Sequence, residues 1–224
     1  FNGLVRPGDA KYKAISGETD ANGNPVWSVN DRTVIGNASP KFIGGWTNTF
    51  MYKGFDLSVF MNFSYGNKVF NMSTQRFIGP YLPNQNTLSK MANRFTLIDP
   101  ATGEATTNLA RLAELNPGQY SGKLMWNISE NNKTAISDHS SYYIEDGSFL
   151  RINTIPLGYT LPKKAIQKIR LSNLRFYATA NNIHTFTDYT GYDPEVAVSA
   201  LTPGIDNSSY PRAKSWVIGV NLSF

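Results

Sequence analysis

Between Phe55 and Tyr65 every odd-numbered residue is apolar. Phe55, Leu57, Val59, Met61, Phe63 and Tyr65 alternate with Asp56, Ser58, Phe60, Asn62 and Ser64. A period of two is the signature of an extended strand with one apolar face. A slip of one residue would turn Asp56 and Asn62 onto that face, so the register is strongly specified. The C-terminus repeats the pattern, with Trp216, Ile218, Val220, Leu222 and Phe224 alternating with Val217, Gly219, Asn221 and Ser223. A third stretch sets Leu174, Phe176, Ala178 and Ala180 against Arg175, Tyr177, Thr179 and Asn181. Residues 41 to 52 and 149 to 160 are less regular but rich in aromatic and β-branched residues, as strands are. The reading is five strands, at 41 to 52, 55 to 65, 147 to 160, 172 to 184 and 214 to 224.

The connections alternate in length. Lys53-Gly54 is a tight hairpin turn; 66 to 146 is very long, 161 to 171 short, and 185 to 213 long again. Short turns at one end and long loops at the other are the habit of outer-membrane barrels. With the C-terminus in the periplasm, every short turn falls on the periplasmic side. Tyr52, Phe55, Tyr65, Tyr159, Phe186, Trp216 and Phe224, near strand ends, suit two interfacial aromatic girdles.

Composition removes several classes. The apolar runs fall far short of the roughly 20 residues a membrane helix needs, which leaves β-barrels untouched. With no cysteine among 224 residues, disulfides and thiolate metal sites are excluded. The formal charge of +5 is spread along the chain; its densest cluster, Lys163, Lys164, Lys168 and Arg170, has no interleaved aromatic residues and reads as a solvated turn, so no nucleic-acid partner is expected. Neither an initiator Met nor a signal peptide opens the chain, which suggests a fragment. In the long excursion, Thr87 before Leu88, Met91 and Phe95, and Thr107 before Leu109, Leu112 and Ala113, predict short capped amphipathic helices. Pro80, Pro83, Pro100 and Pro117 punctuate the rest.

Several runs resemble a known family. They are Pro7-Gly8-Asp9-Ala10-Lys11-Tyr12-Lys13, Asn30-Asp31-Arg32-Thr33-Val34-Ile35-Gly36, Pro40-Lys41-Phe42 and Tyr52-Lys53-Gly54-Phe55-Asp56-Leu57-Ser58. Downstream follow Glu145-Asp146-Gly147-Ser148-Phe149-Leu150-Arg151-Ile152, Leu157-Gly158-Tyr159-Thr160-Leu161-Pro162, Asn181-Asn182-Ile183, Tyr192-Asp193-Pro194-Glu195 and Gly219-Val220-Asn221-Leu222-Ser223-Phe224. In order and spacing these resemble the C-terminal third of the SusC/RagA family, TonB-dependent nutrient transporters of the Bacteroidota outer membrane. The resemblance implies an all-β fold, the last five or so strands of an antiparallel transmembrane barrel of about 22. It implies an extracellular loop at 1–40, a hairpin at 41–65, an extracellular loop at 66–146 and the last three strands at 147–224. It also implies import of oligosaccharides or peptides with a SusD-like lipoprotein partner. Energy would arrive from TonB through an upstream part, and the chain would cross the bacterial outer membrane several times. Trp216, Ile218, Val220, Leu222 and Phe224 resemble the terminal-strand signal by which such barrels are recognised for insertion.

The candidate sites are few, and none suggests an enzyme. Asp20, Asn22, Asn24, Ser28 and Asp31 occupy positions 1, 3, 5, 9 and 12 of a calcium-loop frame, although position 6 is Pro25 where such a loop needs Gly. Calcium is the one cofactor the sequence raises. His139 and His184 stand apart, with no second ligand at metal spacing. Glu145 and Asp146 are adjacent, so on a strand they point to opposite faces and serve as loop anchors rather than as an acid/base pair. Asp188, Tyr189, Tyr192 and Asp193, with Glu195, form an acidic aromatic loop suited to a substrate or partner. The alternative reading is a soluble all-β carbohydrate-binding module; a β-sandwich glycoside hydrolase would need paired carboxylates on facing strands, and the regular strands offer only Asp56.

Overall fold

The computed structural model describes residues 7–10, 12–78, 84–118, 125–127, 139–196 and 201–224. Pro80, Pro83, Lys11 and the opening residues 1–6 lie outside them. The chain divides into two compact units, one of residues 1–35 and 72–143 and one of residues 36–71 and 144–224.

The second unit is built on a five-stranded antiparallel sheet. Its strands are β1 (Phe42–Tyr52), β2 (Phe55–Tyr65), β5 (Phe149–Thr160), β6 (Asn173–Thr187) and β8 (Ser215–Ser223), in the order β1-β2-β5-β6-β8. All five expected strands are present, and β6 runs three residues further than its pattern suggested. Lys53 and Gly54 both take positive φ, 45° and 88°, as the two central residues of a type I′ hairpin turn require. Gly54 is also forced by space, because a Cβ there would lie 2.6 Å from the Thr160 carbonyl oxygen. The 161–171 connection is a short helix α3 (Lys163–Ile166) and a 3-10 turn, ended by Arg170 at φ 56°.

Paired neighbours align most of the apolar residues of each strand on one face, with Ile43, Met51, Phe60 and Val217 on the other. Tyr52, Phe55, Tyr159, Phe176 and Val220 are successive register partners across the sheet. The Phe55 and Tyr159 rings are 4.3 Å apart. The next row on that face is Phe50, Leu57, Leu157, Ala178 and Ile218. At the other end Phe63, Leu150 and Phe186 align, and Phe42 stacks on its partner Tyr65 at 5.0 Å. Aromatic rows therefore bound an aliphatic band. Trp216, expected with the girdles, instead faces Ala180 in the middle of β6.

The irregularity of 149 to 160 has a structural cause. Met61 pairs with Ile152 while Phe60 pairs with Thr154, leaving Asn153 as an extra residue in β5. This bulge reverses the parity of the strand. Leu150 and Ile152 share the apolar face on one side of it, and Ile155, Leu157 and Tyr159 on the other.

A second, three-stranded sheet belongs to the same unit and was not expected from the sequence. It has the order β4 (Ile144–Asp146), β3 (Lys68–Asn71), β7 (Ile205–Asp206), with β3 and β7 parallel. Segments of four, three and two residues are too short to show a period.

The first unit is mostly short helices and turns around buried Ile78, Met91, Phe95, Leu112 and Tyr143. The helices are α1 (Met72–Ile78) and α2 (Leu109–Leu115), with 3-10 turns at Ser89–Asn93 and Ser141–Tyr143. The expected caps differ. Asn108, not Thr107, caps α2, its side chain accepting from the amides of Ala110 and Arg111. Leu88, not Thr87, precedes the Ser89–Asn93 turn, with no side-chain cap. An Asn is as good a cap as Thr and sits one residue closer to the helix.

Candidate functional site

The polar face of the large sheet carries a series of paired side chains. Asp56 on β2 accepts from Arg175 on β6 at 2.5 and 3.2 Å. They bridge over β5, and Gly158 makes room: a Cβ at Gly158 would run into the Arg175 guanidinium and the Asp56 carboxylate. The fork geometry suits Arg for a carboxylate in a half-buried place. Further along, Thr49 and Ser58 share a hydrogen bond of 2.6 Å. Asn153, the bulge residue, donates to Asn62 at 2.8 Å, and Asn181 donates to Ser215 at 3.0 Å. The face opposite is uncovered: Ile218 is 86% exposed and Trp216 74%, with Phe42, Phe50, Tyr52, Phe55, Phe176 and Leu222 all exposed.

Sequence reasoning missed a buried arginine on the strand wall. Arg151, on the polar side of β5 beside the bulge, is 2% exposed. Its guanidinium is paired with Asp193 and lies 3.6 Å from Glu195, which is itself bridged to Arg212 at 2.7 Å. Asp193 also accepts from the amides of Glu195 and Arg212. The loop after β6 is thus fastened to the strand wall at its centre. A cation inside a strand-forming run, Phe149-Leu150-Arg151-Ile152, was the available signal.

Of the residues expected to meet a substrate or partner, Asp188 and Tyr192 are exposed, whereas Tyr189 and Asp193 are buried. Tyr189 donates its hydroxyl to Asp206 at 2.6 Å. Burial and the Asp206 charge push that phenol well above its ordinary range. Glu145 and Asp146 anchor loops as expected. Glu145 accepts from Asn71, from the Thr190 amide and from the Thr190 hydroxyl, at 2.8 to 2.9 Å; Asp146 pairs with Lys68 at 2.9 Å.

The calcium-frame residues fall into two groups, both within the first unit. Asp20 accepts from the amides of Asn22 and Asn24 at 2.8 and 2.9 Å, and from the Asn24 side chain. Asp31 accepts from the amides of Ile15, Ser16 and Ser28 at 2.5, 2.7 and 2.6 Å, and Ser28 completes a capping box with it. Among the described residues no group of three or more His, Asp or Glu is gathered to hold a metal ion.

No family model matches the chain. It is 30% identical, over its whole length, to TonB-dependent receptor P39 of Formosa agariphila. It is 28% identical over 92% of its length to TonB-dependent receptor P3 of the same organism. The TonB-dependent receptor SusC of Bacteroides thetaiotaomicron is 27% identical over 92% of the chain. The chain belongs to the SusC/RagA family of TonB-dependent receptors. It spans about a fifth of the length of these curated relatives, 19%, 18% and 17%. Structures of the RagAB peptide importer in the closed-closed state and of the RagAB peptide transporter each match 94% of the chain and 21% of their own, with TM-scores of 0.66 at 22% and 23% identity. They show the same fold. In this receptor segment the large sheet is a partial, C-terminal stretch of barrel wall, and β1 and β8 are its two edges. The names of the three relatives describe receptors and not enzymes.

Two outcomes follow from these networks. Asp193→Ala leaves Arg151 buried without its main partner, which costs about 3 to 5 kcal/mol; trypsin is expected to cut the loop at Arg212 and Lys214 much faster than in the parent, and an unchanged cleavage rate would show that the fastening is idle. Asp31 is held at about 2 by its hydrogen bonds from the Ser28, Ser16 and Ile15 amides. Its folded value lies below the usual carboxylate value near 3.8, so its contribution is complete above that pH and is lost as pH falls through about 2. Hydrogen exchange at Ile15, Ser16 and Ser28 is expected to accelerate in that window, and Asp31→Asn to be fast already at pH 6.

Proposed function

We propose that this chain is the closing wall of an energy-coupled nutrient importer in the bacterial outer membrane. The observation that carries the reading is the contrast between the two sheet faces. One is exposed, apolar and bounded by aromatic rows, as a lipid-facing band is. The other is hydrogen-bonded and ion-paired, as a barrel interior is. A soluble module would have to leave that apolar face in water, which argues for the membrane.

Lipid lies against Leu57, Met61, Leu157, Ala178 and Ile218, while Asp56, Asn62, Arg175 and Asn221 face the lumen. Substrates are oligosaccharides or peptides, the second class being the one named for RagAB. A SusD-like lipoprotein sits over the long loops, and TonB acts through parts of the receptor beyond this chain. The chain has no catalytic role. The terminal strand, with Trp216, Ile218, Val220, Leu222 and Phe224, doubles as the insertion signal: it presents an alternating edge that ends on an aromatic residue.

The test places an arginine on each face of the sheet. In the full-length receptor, Val59→Arg at mid-band, midway along β2, is expected to cost about 2 to 4 kcal/mol of folding into vesicles. Thr179→Arg, on the polar face, is expected to cost much less. The inserted fraction, read from heat-modifiable migration on gels, checks this; equal losses would overturn the assignment of faces.

A further inference from the structure

The turn that carries the calcium-frame residues is rigid for a reason the importer reading leaves unused. Thr19 bridges to Pro25, Val26 donates to the Glu18 carbonyl at 3.0 Å, and Asp20 ties the turn between them. Immediately afterwards the Ser28–Asp31 capping box locks the chain again. Trp27 stands between these two closures. Its ring stacks on Tyr12, with centroids 5.3 Å apart and planes 30° apart.

This pair lines a cavity of about 690 Å³ together with Lys13, Arg32 and His139. The volume lies in the range of small-ligand sites. Its one carboxylate, Asp31, accepts three backbone amides. Asp31 keeps its negative charge, and the two cations Lys13 and Arg32 outnumber it in the lining. A preorganised aromatic platform with two flanking cations suits a ring that is apolar on one face and negatively charged at its edge.

We propose that this cavity binds an anionic saccharide, carboxylated or sulfated, with a pyranose face on the Trp27–Tyr12 pair and the anion on Lys13 and Arg32. The proposal rests on the importer reading and narrows its substrate class. A peptide is the weaker fit. One way a peptide docks is by pairing its backbone with a free strand edge, and the backbone at 18–26 is already paired with itself.

The experiment is calorimetric titration of the full-length receptor in detergent with four probes: tetragalacturonate, a sulfated carrageenan tetrasaccharide, maltotetraose and tetraglutamate. At least one of the first two is expected to bind about tenfold or more tightly than maltotetraose and tetraglutamate. The double variant Lys13→Ala/Arg32→Ala, which changes only exposed side chains, is expected to lose about tenfold or more for that probe, the size of a lost charge-assisted contact. Trp27→Ala is expected to weaken it likewise. Equal binding of maltotetraose, preference for tetraglutamate, no binding of either anionic sugar, or affinity unmoved in the Lys13/Arg32 variant would each overturn the site. Uptake of the same probes by energised cells is scored separately. Absence of TonB-dependent uptake of every probe would count against the importer reading, and binding with the expected variant losses would still uphold the site.

Discussion

The register of β2 is the constraint on which the rest of the large sheet depends. Because alternate residues from Phe55 to Tyr65 are apolar, a one-residue slip against its neighbours would carry Asp56 and Asn62 onto the apolar face, and the observed pairing keeps them off it. That pairing brings Asp56 within reach of Arg175 two strands away and places Gly158 between them. It also aligns Phe55 with Tyr159 and, through it, with Phe176. One alternation therefore yields both the polar network and the aromatic row. The two faces are consequences of a single choice of register rather than separate features.

Whereas the long excursion at 72–143 has an apolar core of its own at Ile78, Met91, Phe95, Leu112 and Tyr143, the loop after β6 is tied down by charge. Arg151 is the clearest example: it is displayed at the bulge, where the strand changes parity, and it gathers Asp193, Glu195 and, through Glu195, Arg212. Glu145 does the same for Asn71 and Thr190. Such buried ionic ties add less net stability than apolar packing would, because desolvation offsets much of the attraction. They do fix one loop geometry, since an unpaired partner is costly. Where a loop leaves a wall whose apolar residues are committed to the outer face, polar ties to the inner face hold it.

How far the sequence spoke for itself can be traced residue by residue. The strands announced themselves wherever the period was unbroken, as at 55 to 65 and 216 to 224. The strand at 149 to 160 looked irregular because Asn153 is a bulge, so its apolar residues switch from even to odd numbers. The small sheet was invisible, since strands of two to four residues carry no period and the β3–β7 pairing joins residues far apart in the chain. Helix caps were misplaced by one residue where Asn108 outcompeted Thr107. The candidate loop at 188 to 195 was found by composition, yet composition does not say which of its acids meets a buried arginine. Tyr189 and Asp193 turned inward, while Asp188 and Tyr192 stayed out.

The central claim is that the odd-numbered face of β2 meets lipid. Spin labels placed one at a time from Asp56 to Ser64 in the full-length receptor, reconstituted in bilayers, would measure it through collisions with oxygen and with a water-soluble nickel chelate. The account predicts a period of two, with oxygen accessibility high at residues 57, 59, 61 and 63 and low at the even positions between them. A flat profile, or one with its maxima at 56, 58 and 62, would contradict it.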